Sequence, residues 1–309
     1  MTRRTLRLLT VVSALLLSAL PALAQGAEQV DIITPHITDA HEIDVPWPTW
    51  PTMHKVVPLP EWPTFTLPGT QIEVDMSPTK HVVWMLISAF TVGALLIFAA
   101  GAQRRQTRTA GHAQGFAGGV EAMVLYIRNE VVMPNVGPHG NVFAPYLLTL
   151  FFFILLCNLW GIFPWGSTAT SNIAVTATLA LITFFVIEIA GMRAQGLGYL
   201  STIFYWNKDM PLPLRIIMFV ILSPIEVIGK LTKPFALTIR LFANMTAGHI
   251  VVLALISMIF SFKSYAIGLA PLAMAIAINL LELFVAFLQA FIFTLLSSVF
   301  IGQMRVAHH

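Results

Sequence analysis

The feature that most constrains this chain is its apolar run from Leu214 to Phe262, nearly fifty residues interrupted only by Pro224 and Pro234. As a helix rising 1.5 Å per residue it would be about 70 Å long, more than twice the ~30 Å hydrocarbon thickness of a bilayer. No upright helix reconciles the two lengths, so the run must tilt strongly or break. Arg240 stands in its middle. A charge there costs at least ~2.5–3.5 kcal/mol on insertion scales, so a compensating carboxylate is expected. Helical spacing puts Glu226, Lys233 and Arg240 on one stripe with Asn244 a turn further along, yet Glu226 lies about 21 Å down the axis. Arginine does not release its proton in proteins, so Arg240 steers or blocks protons and another group, on this chain or a partner, carries them.

Composition agrees with a membrane solvent. Of 309 residues, 57% are hydrophobic and 10% charged, against about 25% charged in soluble domains. The class is an all-α, multi-span membrane protein with the lipid bilayer as its surroundings. The net charge of +3 is dispersed among apolar segments, so no nucleic-acid-binding patch is expected. The single cysteine, Cys157, sits inside FFFILLCNLW and reads as packing, with no disulfide or Cys/His metal spacing. There is no glycine-rich phosphate loop and no nucleophile elbow. Neither catalysis by this chain alone nor a metal or cofactor is expected.

In chain order, residues 1–24 carry Arg3, Arg4 and Arg7, an apolar run, and the ending Ala22-Leu23-Ala24. That pattern predicts a cleaved signal peptide, with an uncleaved anchor helix as the alternative. Residues 25–80 are rich in Pro, Trp and Thr, which blocks long helices and predicts an extracytoplasmic arm, extended and partly ordered. Its Trp47, Trp50 and Trp62 are suited to the headgroup region. The membrane domain is expected over 81–309. Val82 to Ala102 spans and is followed by Arg104, Arg105 and Arg108, which places that end inside the cell. Gly115 to Val132 repeats apolar residues at Val120, Val124, Ile127 and Val131, as in an amphipathic helix lying on the cytoplasmic face. Phe143–Phe163 and Asn172–Gly191 are further spans, with Arg193 inside. A polar connection over Gly196 to Pro213 leads to the long run.

A turn around Ser261 to Tyr265 leads back into Ala266–Phe300, also over-long, with Asn279, Glu282 and Gln289 along it. Arg305, His308 and His309 end the chain inside. The expected architecture is upright transmembrane helices plus a long tilted helical hairpin. Glu282 and Gln289 share a face, and His249 is close to Glu282 in depth, which suits a proton relay. On ideal geometry, however, His249 points half a turn from Arg240, and a lone buried His can also be a packing residue. Glu226 has an ion pair with Lys230 as its bland alternative. Glu188 is expected to pair near Arg193 or to reach toward the interface. Asn158 and Asn172 either bond between spans or line a wet cavity.

The segments Ile239-Arg240-Leu241-Phe242-Ala243-Asn244-Met245-Thr246-Ala247-Gly248-His249 and Leu288-Gln289-Ala290-Phe291-Ile292-Phe293-Thr294 closely resemble the signature of subunit a of the F-type ATP synthase membrane sector. Phe151–Pro164 and Thr170–Leu179 look like weaker blocks of that family, and the resemblance covers roughly residues 80–305. It implies a non-catalytic, proton-translocating stator subunit in a cell inner membrane. Its implied partners are the rotating c-ring, peripheral-stalk subunit b and the whole synthase. By motif position it implies that Arg240 faces the ring carboxylate. Asn244, His249, Glu282 and Gln289 would line the outer half-channel, with Glu226 near the inner one. The acid and the histidine at 249 and 282 look exchanged relative to some bacterial members, as in mitochondrial relatives. Asn172 stands where many relatives show an Asp. Two rivals are a secondary ion-coupled transporter, for which related halves with broken helices are expected, and a structural subunit of another respiratory complex.

Overall fold

The computed structural model describes residues 37–46, 54–66, 73–110, 115–163, 166–196, 198–199, 204, 211–262 and 265–305. The expected signal segment, Trp47, Trp50, Pro164-Trp165, most of the 196–213 connection, and His308 and His309 lie outside these. The described part of the arm forms two antiparallel strand pairs, β1 (Glu42–Pro46) with β2 (His54–Pro58), and β3 (Phe65–Thr66) with β4 (Glu73–Val74). Prolines at strand ends and the absence of helical periodicity favour short strands here. Trp62 is largely exposed, and its backbone N–H donates to Ser77 Oγ at 2.8 Å.

The helices are α1 (Lys80–Ala110), α2 (Gly115–Tyr126), α3 (Met133–Val136), α4 (Gly140–Trp160), α5 (Ile173–Gln195), α6 (Leu212–Phe262) and α7 (Tyr265–Arg305). Five of them, α1 and α4 to α7, are long and apolar enough to cross a membrane. The protein is an all-α membrane protein of the expected architecture. Its α4 and α5, at 21 and 23 residues, match a bilayer. The helix α6 continues for 51 residues through both prolines, about 77 Å at 1.5 Å per residue. Of tilting and breaking, the chain therefore takes tilting. Its partner α7 is 41 residues long and packs against it, with Gly248 beside Glu282 and Lys233 over the Phe300 ring. The chain enters α1, α5 and α7 at the end of the bundle that carries the arm. It leaves them at the end marked by Arg104, Arg193 and Arg305.

The core is densest around α4, where Leu147, Phe151, Phe152, Ile154, Leu155 and Cys157 are nearly inaccessible. Asn172 caps α5 by accepting from the Ala174 N–H at 2.8 Å, and Gly196 ends it at φ +58, a conformation glycine adopts without strain. The amphipathic stretch after α1 runs from α2 through a π-helical turn (Ile127–Val132) into α3. The widened turn buries Ile127, Val131 and Val132 together. This face packs on α1, α4 and α7, so the apolar stripe read from the sequence faces protein.

Candidate functional site

The hairpin holds a cavity of about 250 Å³ between α6 and α7. Asn244, Ala247 and Gly248 form one wall, and Glu282, Val285, Leu288 and Gln289 are among those forming the other. Glu282 and Gln289 are only 5% and 4% exposed. The seven-residue spacing that puts them on one face of α7 here turns both toward the hole. Gly248 leaves room for the approach, since a methyl group there would meet the Glu282 carboxylate oxygen Oε1 at a tight 3.3 Å. Among the described residues Glu282 has no cation within ion-pair distance. A buried carboxylate without a salt-bridge partner is a group that can gain or lose a proton without dismantling a contact.

The structure thus gathers Asn244, Glu282 and Gln289 around one space. His249 neighbours Gly248 and is half-buried, level with Glu282, but it is not a wall of the cavity. Arg240 lies about midway between the Gly248–Glu282 contact and the point where Lys233 Nζ lies 4.8 Å from the Phe300 ring centroid. It is therefore level with the turn of α7 that carries Gln289. Its side chain is half-exposed, and among the described residues it has no ion-pair partner. Ala236, Ala243, Asn244 and Ala247, on the same helix, are exposed around it. Small side chains of this kind let another helix approach closely.

Toward the arginine-rich end a second polar cluster forms, and it departs from expectation. Lys230 does not pair with Glu226. Its Nζ lies 3.6 Å from Glu188 Oε2 and donates to Tyr199 Oη at 2.6 Å, while Tyr199 donates to Glu188 at 2.6 Å. Burial, with Glu188 beside it, pushes the Tyr199 phenol well above its usual range, so it remains a donor. The reason is steric: Lys230 faces the protein and is 5% exposed, whereas Glu226 is exposed. Glu188 accordingly pairs with Lys230 and not with Arg193, which lines a wide recess with Arg305 and His139. Asn158 donates to the Ala286 carbonyl of α7 at 3.3 Å and accepts from Thr170 at 2.6 Å, so it bonds between spans. Asn172 caps α5 and donates to Asp39 Oδ2 at 3.1 Å.

Comparison with known proteins adds an independent line. A family model described as ATP synthase A chain matches residues 82–302. ATP synthase subunit a of Chloroherpeton thalassium is 45% identical over 285 residues, covering 91% of this chain and 78% of the relative. ATP synthase subunit a 2 of Chlorobium luteolum is 44% identical over 303 residues, covering 94% and 82%. Its counterpart in Prosthecochloris aestuarii is 48% identical over 240 residues, covering 76% and 70%.

Proposed function

Since the chain belongs to the subunit a family of the F-type ATP synthase membrane sector, we propose that it loads and unloads protons on the carboxylates of a rotating c-ring through two offset half-channels. The observation that carries this reading is Arg240, a membrane-embedded cation with no ion-pair partner among the described residues, on an open alanine-bearing face beside the Glu282 cavity. Its counter-charge then comes from outside the chain, on a helix that the small residues admit.

A carboxylate passing Arg240 has its ionised form favoured and gives up its proton. The same fixed charge separates the two half-channels and opposes a direct leak. The cavity of Asn244, Glu282 and Gln289 opens the arm-side path, with His249 at the same level. Exposed Glu226 stands on the other. The arginines at the ends of α1, α5 and α7 put that end in the cytoplasm and the arm outside the cell membrane. Subunit b and the remainder of the synthase are the further partners, and ATP chemistry belongs to the soluble head.

The test uses the assembled synthase in membrane vesicles. ATP-driven pumping is measured with and without Na⁺. The decay of an imposed proton gradient is measured after removing the head. Pumping without Na⁺, and a leak in Arg240→Ala, are the expected results. Tight vesicles and normal ATP synthesis with Arg240→Ala would refute the assignment.

A further inference from the structure

At the arm end of the bundle, outside the Glu282 cavity, polar groups from separate segments meet. Asp39, in the arm, has Oδ1 2.8 Å from His81 Nδ1 on α1. The His81 backbone N–H donates to the same oxygen at 3.3 Å, and Asn172 Nδ2 donates to Oδ2 at 3.1 Å. His81 is 1% exposed, while the Asp39 side chain keeps 32% of its surface open. The pair therefore has a wet end and a buried end. The second ring nitrogen of His81, Nε2, lies 3.4 Å from Ser171 Oγ.

From Ser171 polar contacts continue toward the cavity along two routes. Thr246 of α6 donates to the Ser171 carbonyl at 3.4 Å and adjoins the wall residue Ala247. Thr170 bonds Asn158, whose amide reaches the Ala286 carbonyl, next to the wall residue Val285. In the same region Trp84 Nε1, Trp160 Nε1, Ser167 Oγ and Thr168 Oγ1 are buried without a protein partner. Buried polar atoms of this kind are satisfied by water as a rule, and water is what links such groups into a proton path.

We propose that Asp39 and His81 form a proton-collecting station at the outer mouth of the path to Glu282, with His81 taking the proton and Asp39 holding the opposing charge. This rests on the reading of the chain as the proton-translocating subunit. His81 becomes imidazolium, gives its Nε2 proton to water beside Ser171, whose own hydroxyl donates to the Thr168 carbonyl at 2.7 Å, and returns to the neutral ring; only N–H and O–H bonds form and break. Burial opposes a charge on Asp39, but the hydrogen bond and charge of His81 outweigh it and hold the carboxyl below its usual range, so it stays ionised. Lys80, next to His81 on α1, is the charged neighbour from the same helix. The groups presented by the turn before α5 and by α5 itself, Ser171 and Asn172, are neutral, as is Thr246 of α6. Asp39 is thus the carboxylate that faces the ring, and the arm has a further anchor that does not depend on its charge. The Lys80 N–H already donates to the Ala40 carbonyl at 2.8 Å.

Inverted vesicles carrying the assembled synthase, whose lumen is the outer face, provide the test. ATP synthesis at fixed membrane potential is measured against lumenal pH, per assembled complex. Asp39→Asn keeps an acceptor oxygen for His81 and loses the charge, together with the hydrogen bond from Asn172 Nδ2. It should move the half-maximal lumenal pH about one unit to the acid side, about tenfold in proton concentration, with the maximal rate retained. The double exchange Asp39→Asn with Asn172→Asp returns a carboxylate to the cluster and should move it back. An unmoved profile in Asp39→Asn overturns the station, including the case where less complex assembles, because Asp39 is then only an anchor for the arm. If the single variant does not assemble, the profile of the double exchange decides, and a profile that differs from the parent's overturns the station. Glu282→Gln in the same vesicles separates the two levels: it should slow synthesis at every lumenal pH. Normal synthesis in Glu282→Gln and Arg240→Ala would sink the proton-path reading itself.

Discussion

Glu188 and Glu282 are both carboxylates on apolar helices, and the fold surrounds them in opposite ways. Glu188 lies within 3.6 Å of Lys230 and accepts from Tyr199, tying α5, the following connection and α6 together. Glu282 is more deeply buried, opens onto a cavity and has no ion-pair partner among the described residues. Desolvation makes both expensive, but only the first is compensated inside the chain. A satisfied charge holds helices in register, whereas an unsatisfied one is available for exchange. Arg240 belongs with Glu282 in this respect, since it too has no internal counter-ion.

Removing the unpaired cation should have the largest effect. If Arg240 served packing, Arg240→Lys would keep the charge and most of the function. If it must attract and release a moving carboxylate, the permanently charged guanidinium matters, because a buried lysine can lose its proton. We expect Arg240→Lys to abolish coupled ATP synthesis in vesicles, and normal synthesis would place Arg240 with the structural charges. Next, Glu282→Gln should slow ATP-driven proton pumping across a pH series more than His249→Gln does, because Glu282 faces the cavity and His249 does not. Equal, unimpaired rates in both would remove the relay.

The third prediction concerns stability. Lys230→Met removes the cation within ion-pair distance of Glu188, leaving Tyr199 and the more distant Lys233, and should destabilise the protein by about 3 kcal/mol, as for other broken buried pairs. Glu282→Gln should cost roughly 1 kcal/mol or less, within the range of a substitution that breaks no network. Thermal unfolding of the purified complex in detergent compares them, and equal losses would erase the contrast between the two carboxylates. The smallest effect belongs to the arm. The folded state holds the Asp39 pKa below its ordinary value of 3.8, so its contribution is complete above that value and disappears as pH falls through the lower, folded one. Protection of the Lys80 amide against hydrogen exchange should weaken as acid pH crosses that window, and Asp39→Asn should remove the pH dependence.

What could be read from the chain was what local spacing encodes. Span lengths, the tilt-or-break dilemma of α6, and the shared face of Glu282 and Gln289 follow from a 1.5 Å rise and a seven-residue near-repeat, which need no knowledge of neighbours. The gathering of Asn244 with those two is implied by the family resemblance and not by spacing, and the packed hairpin shows it. The arginines that mark one end of α1, α5 and α7 are likewise a property of the sequence alone.

Only the tertiary structure decided which partner each polar group took. Asn158 bonds a carbonyl 128 residues away, His81 and Asp39 are 42 apart, and Lys230 reaches Tyr199 across 31 positions. An i+4 pair with Lys230 was the bland alternative for Glu226, yet Glu226 is exposed while Lys230 is buried against Glu188 of α5. Whether His249 faces the cavity likewise depended on how α6 rotates against α7, because packing sets helix rotation to within a fraction of a turn and periodicity does not. The contacts that distinguish a structural charge from an exchangeable one are long-range, and they exist only once the helices have packed.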